Sequence, residues 1–264
     1  EYQEITHESI YSLLPITSKK WQGTSLLVWT TTPWTLPANV AVAMDPQKDY
    51  AIVSDGKRKL VLLEKLVNKV LGKEFKIIDR KKGKEFIGLE YIGPFDDIKG
   101  VQSQLGDYKR RIVESDDLIL PVTEEEGTGM VHIATGAGSE DFKLGEKYNL
   151  PVVSVIDEGA NYLEFMDYLA GKNAKKNPEI IFELLKNKNK GAHFYKILPY
   201  KHRYPTCWRC KEDLVWRNVA EWYIAMGKQA KSKEQRAKSE TFRQRMIKVA
   251  KKINWIPAWG LDRE

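Results

Sequence analysis

The sequence predicts an α+β fold, on the basis of its strand pattern, its helix pattern and its composition. Short runs of β-branched and apolar residues recur along residues 1–200, and turn residues separate them at close intervals. Helix candidates interrupt these runs without regular alternation, which favours an α+β fold or a barrel over a parallel doubly wound sheet. With 42% hydrophobic residues among 264, the chain can bury one large core or two smaller ones.

The strand candidates are dense in apolar and β-branched side chains. Two of them are predicted to pair as a hairpin, because Asp55 and Gly56 between them supply the chemistry of a tight turn. The strand candidates are residues 24–31, 40–44, 50–53, 59–63 and 131–134.

The helix candidates have apolar residues at helical spacing and recognisable ends. One ends at Gly72, and another begins at Pro178, where the missing N–H of proline is harmless. The helix candidates are residues 63–71, 140–148 and 178–187.

Composition and charge exclude several classes of protein. No apolar run approaches the roughly 20 residues that a bilayer span needs. Two cysteines at i and i+3 cannot build a disulfide framework, so we expect a reducing compartment, a cytoplasmic location and no membrane partner. We also expect the chain to be a segment of a longer protein.

The net charge of +7 is concentrated in one segment. Residues 228–252 contain ten basic and two acidic side chains, and we expect them to form a basic helix. Such a segment either contacts phosphate groups of a nucleic acid or is a solvated helix face, and composition alone leaves both open.

The most unusual stretch is TTTPWTLPAN, residues 30–39, which follows Trp29. One interpretation is a strand end with a rigid proline turn. The other is a strand end that presents threonine hydroxyls side by side in a pocket, where they can orient a water molecule or a carbonyl oxygen without carrying charge.

A second unusual stretch, residues 126–142, contains four glycines around a short strand candidate. Glycines in this density suggest a backbone that approaches a ligand closely. The pattern lacks the lysine of a phosphate-binding loop and the third glycine of a dinucleotide site. On local evidence, Asp141 is either a helix cap or a ligand-binding acid, and His132 is either a core histidine or a pocket residue.

No nucleophile–base arrangement can be recognised in the sequence. If the domain hydrolyses a substrate, the pattern therefore favours a positioned water molecule over a covalent mechanism. Cys207 and Cys210 have the spacing of a zinc knuckle, with His202 as a candidate third ligand, although a structural zinc site takes four ligands. The pair is half of a zinc ribbon, an empty knuckle or a redox pair.

Four motifs, taken together, resemble the connective insertion of isoleucyl-tRNA synthetase, which is the editing domain of that class I family. They occur in the family's order, and the isoleucyl form is distinguished from its valyl and leucyl relatives by Thr32-Pro33-Trp34. The motifs are TTTPWTLPAN (30–39), GTGMVHIA with the following glycines and Asp141 (127–142), YPTCWRC (204–210) and NWIPAWG (254–260).

The resemblance implies a β-barrel-like body with peripheral helices over residues 1–200. A zinc-ribbon-like and helical segment over residues 201–264 would return to the synthetase body. The implied activity is post-transfer editing, the hydrolysis of valine from the 3′ end of tRNA(Ile). No cofactor is implied for this reaction, and a structural zinc is expected only in the full-length protein.

By position, the resemblance implies catalytic roles for Thr31, Thr32 and Asp141, with Asp141 also binding the α-ammonium group as an ionised carboxylate. It implies substrate contacts for Trp29, Thr30, Asn39 and His132, and a zinc half-site at Cys207 and Cys210.

Two departures from the family pattern, Thr135 and Ala137, imply a looser loop or a wider pocket before Asp141. The alternative functions are a catalytically silent tRNA-binding module and an editing domain of valyl or leucyl type.

Overall fold

The computed structural model describes residues 1–227 and 240–256. The chain divides into two compact units, Glu1–Asn218 and Val219–Glu264. The first unit contains all nine described strands and four of the five described α-helices, and the second contains the fifth.

The strands of the first unit are β1 (Tyr2–Pro15), β2 (Thr24–Thr30), β3 (Ala41–Met44), β4 (Asp49–Ser54), β5 (Lys59–Leu63), β6 (Lys76–Lys82), β7 (Arg111–Glu114), β8 (Met130–Ile133) and β9 (Phe194–Pro205). The helices are α1 (Val67–Leu71), α2 (Lys99–Leu105), α3 (Ser139–Tyr148) and α4 (Glu179–Asn187), followed in the second unit by α5 (Phe242–Ala250).

The strands form two open sheets, so the expected α+β class is confirmed, but among the described residues no closed barrel stands behind the expected β-barrel-like body. One sheet has six strands in the order β6-β4-β5-β2-β1-β9, and the other has three in the order β7-β3-β8. A barrel would require β6 and β9 to pair, whereas both are edge strands in the described chain.

The two sheets share a core. A cluster of buried side chains from β2, β4 and β5 includes Val42 and Met44 of β3 and Met130 of β8, so one face of the small sheet packs on the large one. A second cluster covers the other side of the small sheet with α2, α3 and α4. This packing places the end of β2 beside β8, where the candidate site lies.

The locally specified elements agree with the sequence. β4 and β5 form the expected antiparallel hairpin, with Tyr50 opposite Leu63. The helix predicted to end at Gly72 begins as a 3₁₀ turn over Glu64–Leu66 and continues as α1. α3 and α4 occupy the other two predicted helical segments.

The long strands β1 and β9 were not predicted. They pair antiparallel over most of their length, from Tyr2 opposite Pro205 to Ser12 opposite Phe194. The partners are far apart in sequence, and no local turn signal announces such a pairing. Residue 200, where the sequence suggested a boundary, lies inside β9, and the first compact unit continues to Asn218.

The second unit is described only in part. Thr241 caps α5, since its side chain accepts a hydrogen bond from the backbone N–H of Gln244 at 3.2 Å. The basic helix predicted over residues 228–252 lies partly outside the described residues, as does the end of the NWIPAWG motif. None of the described helices is long and apolar enough to cross a membrane.

Candidate active site

The threonine-rich stretch begins where β2 ends. Thr30 is the last residue of β2, and a 3₁₀ turn over Pro33–Ala38 follows Thr31 and Thr32 directly. Pro33 occupies the first position of the turn, where its missing N–H costs no hydrogen bond. The rigid turn and the presentation of hydroxyl groups, which the sequence offered as alternatives, therefore occur in the same segment.

Three of these threonine hydroxyls are linked to one another. The Oγ1 atoms of Thr30 and Thr32 lie 3.1 Å apart, and Thr30 Oγ1 also accepts a hydrogen bond from the backbone N–H of Thr32. Thr35 Oγ1 donates to the carbonyl oxygen of Thr32 at 2.8 Å. Within the described residues, the Thr31 hydroxyl has no hydrogen-bond partner, so it is available to a ligand.

His132, on β8, contacts the threonine-rich stretch through Thr35. Its Nε2 lies 2.9 Å from Thr35 Oγ1, and its Nδ1 lies 2.8 Å from the side-chain nitrogen of Asn39. Burial, together with the nearby Arg110 cation, lowers the pKa of His132 to about 4. The ring is therefore neutral at physiological pH.

Asn39 does not line the cavity, although the resemblance implied a substrate contact there. Its side chain is 1% exposed and lies behind His132. Its amide nitrogen donates to the carbonyl oxygen of Ala41, and its amide oxygen accepts from the hydroxyl of Tyr91. In this structure, Asn39 supports the histidine.

Asp141 reaches the cavity from the first turn of α3. One carboxylate oxygen accepts a hydrogen bond from the backbone N–H of Ala134 at 3.0 Å. Gly138 makes this approach possible, because a Cβ there would lie 2.9 Å from the same oxygen. Burial raises the pKa of Asp141 to about 7 against the lowering effect of the Ala134 hydrogen bond. This shift favours the protonated form of Asp141, whereas the implied role requires an ionised carboxylate.

These side chains surround one cavity of about 280 Å³. Of the residues predicted for the site, six line it: Trp29, Thr30, Thr31, Thr32, His132 and Asp141. Ala137, which the sequence analysis named as a departure that affects the pocket, also lines it. The sequence analysis assigned no site role to the remaining lining residues, which are Thr35, Pro121, Val122, Thr123, Glu126, Gly127, Gly129, Met130 and Val131.

The rim of the cavity includes a contact between distant segments. The hydroxyl of Tyr200, on β9, donates to the carboxylate of Glu126. The Tyr200 ring meets Trp29 edge-on, with ring centroids 4.9 Å apart. A Cβ at Gly127 would lie 3.1 Å from the Trp29 ring, so the glycine lets the loop lie against the indole. Thr35, which lay within a quoted motif, could have been selected from the sequence, whereas Glu126 carries no periodic signal.

The two departures from the family pattern are both close to the site. Thr135 is fully buried, and its hydroxyl donates to the carbonyl oxygen of Pro151 at 2.6 Å. Its methyl group packs against Gly145, and a Cβ on that glycine would lie only 2.6 Å from the methyl carbon. Ala137 lines the cavity, so the size of the residue at position 137 affects the volume available to a ligand.

Cys207 and Cys210 lie away from the cavity, in a turn after β9. Hydrogen bonds from the backbone of Cys210 and Arg209 lower the pKa of Cys207, as in a metal-binding knuckle. His202, the candidate third ligand, contacts another histidine: its Nε2 lies 3.0 Å from Nδ1 of His7. Among the described residues, no group of three or more ligands could hold a metal ion. Two thiols do not make a four-ligand zinc site, and the expected zinc ribbon is not shown among the described residues around them.

Solved structures share this fold. The protein titled GlLeuRS-CP1 superposes with a TM-score of 0.52 over 74% of this chain and 99% of its own, at 13% identity. The cytosolic leucyl-tRNA synthetase editing domain of P. knowlesi gives a TM-score of 0.51 over 74% of this chain and 98% of its own, at 10% identity. At these identities, the likeness concerns the fold alone.

Curated sequence relatives have higher identity to this chain than these solved structures do. The isoleucine–tRNA ligase of Sulfolobus acidocaldarius is 35% identical over 267 residues, covering 100% of this chain and 23% of that protein. The isoleucine–tRNA ligase of Methanocaldococcus jannaschii is 37% identical over 273 residues, covering 98% of this chain and 24% of that protein.

The chain thus spans about a quarter of the length of the curated relatives that it matches. A scan against protein-family models finds no match. The identity over the whole chain nevertheless confirms the resemblance inferred from the four motifs: this chain belongs to the isoleucyl-tRNA synthetase family.

Proposed function

We propose that this domain performs post-transfer editing by hydrolysing the ester between valine and the 3′-terminal adenosine of tRNA(Ile). The relatives are named isoleucine–tRNA ligases, and the fold is that of leucyl-tRNA synthetase editing domains. A synthetic pocket that admits isoleucine gains only about 1–3 kcal/mol of discrimination against valine, a limit for which this family is the standard example. A second site that hydrolyses valyl esters would supply the missing discrimination.

The observation that carries this proposal is the meeting of Asp141 with the threonine hydroxyls in one cavity. One oxygen of Asp141 is held by Ala134, which leaves the other to face a ligand. An aminoacyl ester carries an α-ammonium group, and a charge-assisted hydrogen bond to a carboxylate would anchor it. Binding of this cation would also favour the ionised form of Asp141 over the protonated one.

The hydrolytic step would use a positioned water molecule. The hydroxyls of Thr31 and Thr32 can hold water near an ester carbonyl whose ammonium group is fixed by Asp141. Water attacks the carbonyl carbon, the bond to the ribose oxygen breaks, and the proton lost by water balances the proton gained by that oxygen. The products are free valine and tRNA with a restored 3′-terminal hydroxyl.

Side-chain selection would be steric. The apolar part of the cavity wall includes Trp29, Met130 and Val131. Ala137 would set the width of the cavity near Asp141. Isoleucine carries one methylene more than valine, so a close fit to valine would exclude it by overpacking.

The partners that follow from this proposal are the 3′ end of tRNA(Ile) carrying valine and the rest of the synthetase, in the cytoplasm. Editing itself would need no cofactor. Cys207 and Cys210 would form half of a structural zinc site in the full-length protein, with the remaining ligands supplied from outside the described residues.

The test is a substitution that fills the cavity. Thr32→Arg should lower the rate of valine release from Val-tRNA(Ile) at least about 100-fold, because the long side chain occupies the space of the ester. Thr17→Arg is the matched control, since Thr17 is exposed and outside the cavity.

Binding of tRNA should be measured on the same proteins. Hydrolysis that is lost in Thr32→Arg and kept in Thr17→Arg, with binding retained in both, supports the proposal. Binding of tRNA without hydrolysis by the unsubstituted chain would contradict it and would favour the silent binding module.

A further inference from the structure

Two buried polar residues lie behind the cavity and do not line it. Tyr91 and Arg110 are each 4% exposed, and both are hydrogen-bonded to Asn39. Burying a guanidinium and a phenol hydroxyl costs free energy unless each forms hydrogen bonds. Because both bond to Asn39, the arrangement of that residue depends on them.

The contacts of Asn39 fix the orientation of its amide group. Tyr91 donates its hydroxyl hydrogen to Oδ1 of Asn39 at 2.7 Å. Nδ2 of Asn39 donates to the carbonyl oxygen of Ala41 at 2.9 Å. Rotating the amide by 180° would place two acceptors together and leave the Tyr91 hydroxyl facing an NH₂ group, so only one orientation satisfies every partner.

This orientation determines which nitrogen of His132 carries the proton. Nδ2 of Asn39 is a donor and lies 2.8 Å from Nδ1 of His132, so Nδ1 must be the acceptor. A neutral ring then carries its hydrogen on Nε2, which faces Thr35 Oγ1 at 2.9 Å. Thr35 in turn donates its own hydrogen to the Thr32 carbonyl. Hydrogen bonds therefore run in one direction from Tyr91 to Thr32.

Arg110 holds the backbone end of the same residue. Its Nε donates to the carbonyl oxygen of Asn39 at 2.8 Å, and its terminal nitrogen pairs with the carboxylate of Asp96. Gly93 makes room for the Arg110 guanidinium, since a Cβ at position 93 would lie 2.7 Å from the central carbon of that group. The positive charge also contributes to the low pKa of His132, after the larger effect of burial.

We propose that Tyr91 and Arg110 are positioning residues that act through Asn39 to hold His132 as a neutral ring with its proton on Nε2. The inference rests on the proposed deacylation for its functional meaning. In this arrangement, His132 does not take the proton of the attacking water. It orients Thr35, and through Thr35 the strand end that carries the Thr32 hydroxyl.

The first test observes the ring directly. The chain has only four histidines, so ¹⁵N NMR of histidine-labelled protein can be assigned with a His132→Gln variant. We expect the His132 signals of an unprotonated Nδ1 and a protonated Nε2, unchanged between pH 5.5 and pH 8. A proton on Nδ1, or a ring that becomes charged within this range, would overturn the inference.

The second test removes the phenol hydroxyl. Tyr91→Phe should introduce a population with the proton on Nδ1 and lower kcat for valine release about 10-fold, with KM changed less than about twofold. Tyr204→Phe is the matched control, because this buried tyrosine donates to the carbonyl oxygen of Leu214 and lies beside His202. It should alter the signals of His202 and leave those of His132 and kcat unchanged.

A third variant keeps the inference falsifiable if Tyr91→Phe does not fold. Asn39→Asp is nearly isosteric, and its carboxylate can accept a hydrogen bond from a protonated Nδ1 of His132 in the vicinity of the Arg110 cation. We expect the ring to switch to the form protonated on Nδ1 and kcat to fall about 100-fold.

His132 signals that stay at their unsubstituted positions in Tyr91→Phe or in Asn39→Asp would overturn the positioning role. A chain that releases no amino acid from tRNA would instead contradict the proposed function, while the NMR result would still decide whether these residues fix the ring.

Discussion

The carboxylate of Asp141 accepts a hydrogen bond from the backbone N–H of Ala134 at 3.0 Å, and this contact joins the start of α3 to the end of β8. The residue proposed to bind the ammonium group is thus fixed to the strand that carries His132. Burial nevertheless raises the pKa of Asp141 to about 7, and two predictions follow from this shift.

The first prediction concerns stability. The folded protein binds the Asp141 proton more tightly than the unfolded chain between about pH 4 and about pH 7, so the contribution of this group to folding is lost as the pH rises through about 7. Asp141→Asn should therefore raise the free energy of unfolding by about 1–3 kcal/mol at pH 8 and leave it unchanged at pH 3.5.

Urea denaturation at the two pH values measures this difference. Glu146→Gln is the matched control, because Glu146 is an exposed acid on the same helix. It should give no gain at pH 8. Equal stabilities of Asp141→Asn and the unsubstituted protein at both pH values would argue against the buried acid.

The second prediction concerns the pH dependence of editing. Because an α-ammonium group binds the ionised carboxylate, kcat/KM for valine release should rise about 10-fold per pH unit below pH 6 and level off above about pH 7. The rise should disappear in Asp141→Asn. A profile that is flat from pH 5.5 to pH 7.5 in the unsubstituted protein would contradict the role of Asp141.

The locally coded parts of the molecule could be predicted from the sequence. The Asp55-Gly56 turn and the apolar periodicity of α3 and α4 each concern a few neighbouring residues, and the hairpin and both helices are present. The pairing of β1 with β9 could not be predicted, because the paired residues lie more than 180 positions apart in the sequence.

The same distinction applies to the site. The resemblance of the motifs to the family implied site roles for Thr32, His132 and Asp141, and all three line the cavity. The position of Asn39 behind His132 depends on how β3 and β8 align, with Val42 opposite His132. The raised pKa of Asp141 likewise comes from burial by distant segments, which no local pattern encodes.

The third prediction tests the glycines that bring the loop close to the core. Gly129 has φ = +73°, and a Cβ there would lie 2.2 Å from Cβ of Leu63. Gly129→Ala should lower the free energy of unfolding by about 3 kcal/mol or more, from a left-handed backbone and overpacking combined.

Gly56 provides the comparison, because it also has a positive φ, +83°, but a Cβ added there would meet no atom within 4 Å. Gly56→Ala should cost only about 1 kcal/mol. Chemical denaturation of the two variants decides the matter, and similar losses in both would show that Leu63 yields to the added methyl group.

The fourth prediction separates the cysteine pair from the chemistry. Cys207 lies outside the cavity, so Cys207→Ser should leave the rate of valine release within about twofold of the unsubstituted rate. Treatment with a zinc chelator should have equally little effect. A large loss of activity in both experiments would place a metal ion in the reaction, contrary to the proposed water mechanism.

The most direct measurement compares the release of amino acid from Val-tRNA(Ile) and Ile-tRNA(Ile) by this 264-residue chain and by its Asp141→Ala variant. The proposed editing site predicts release of valine at least about 100-fold faster than isoleucine, and loss of most of this activity in the variant. Equal release of both amino acids, or valine release that does not depend on Asp141, would contradict it.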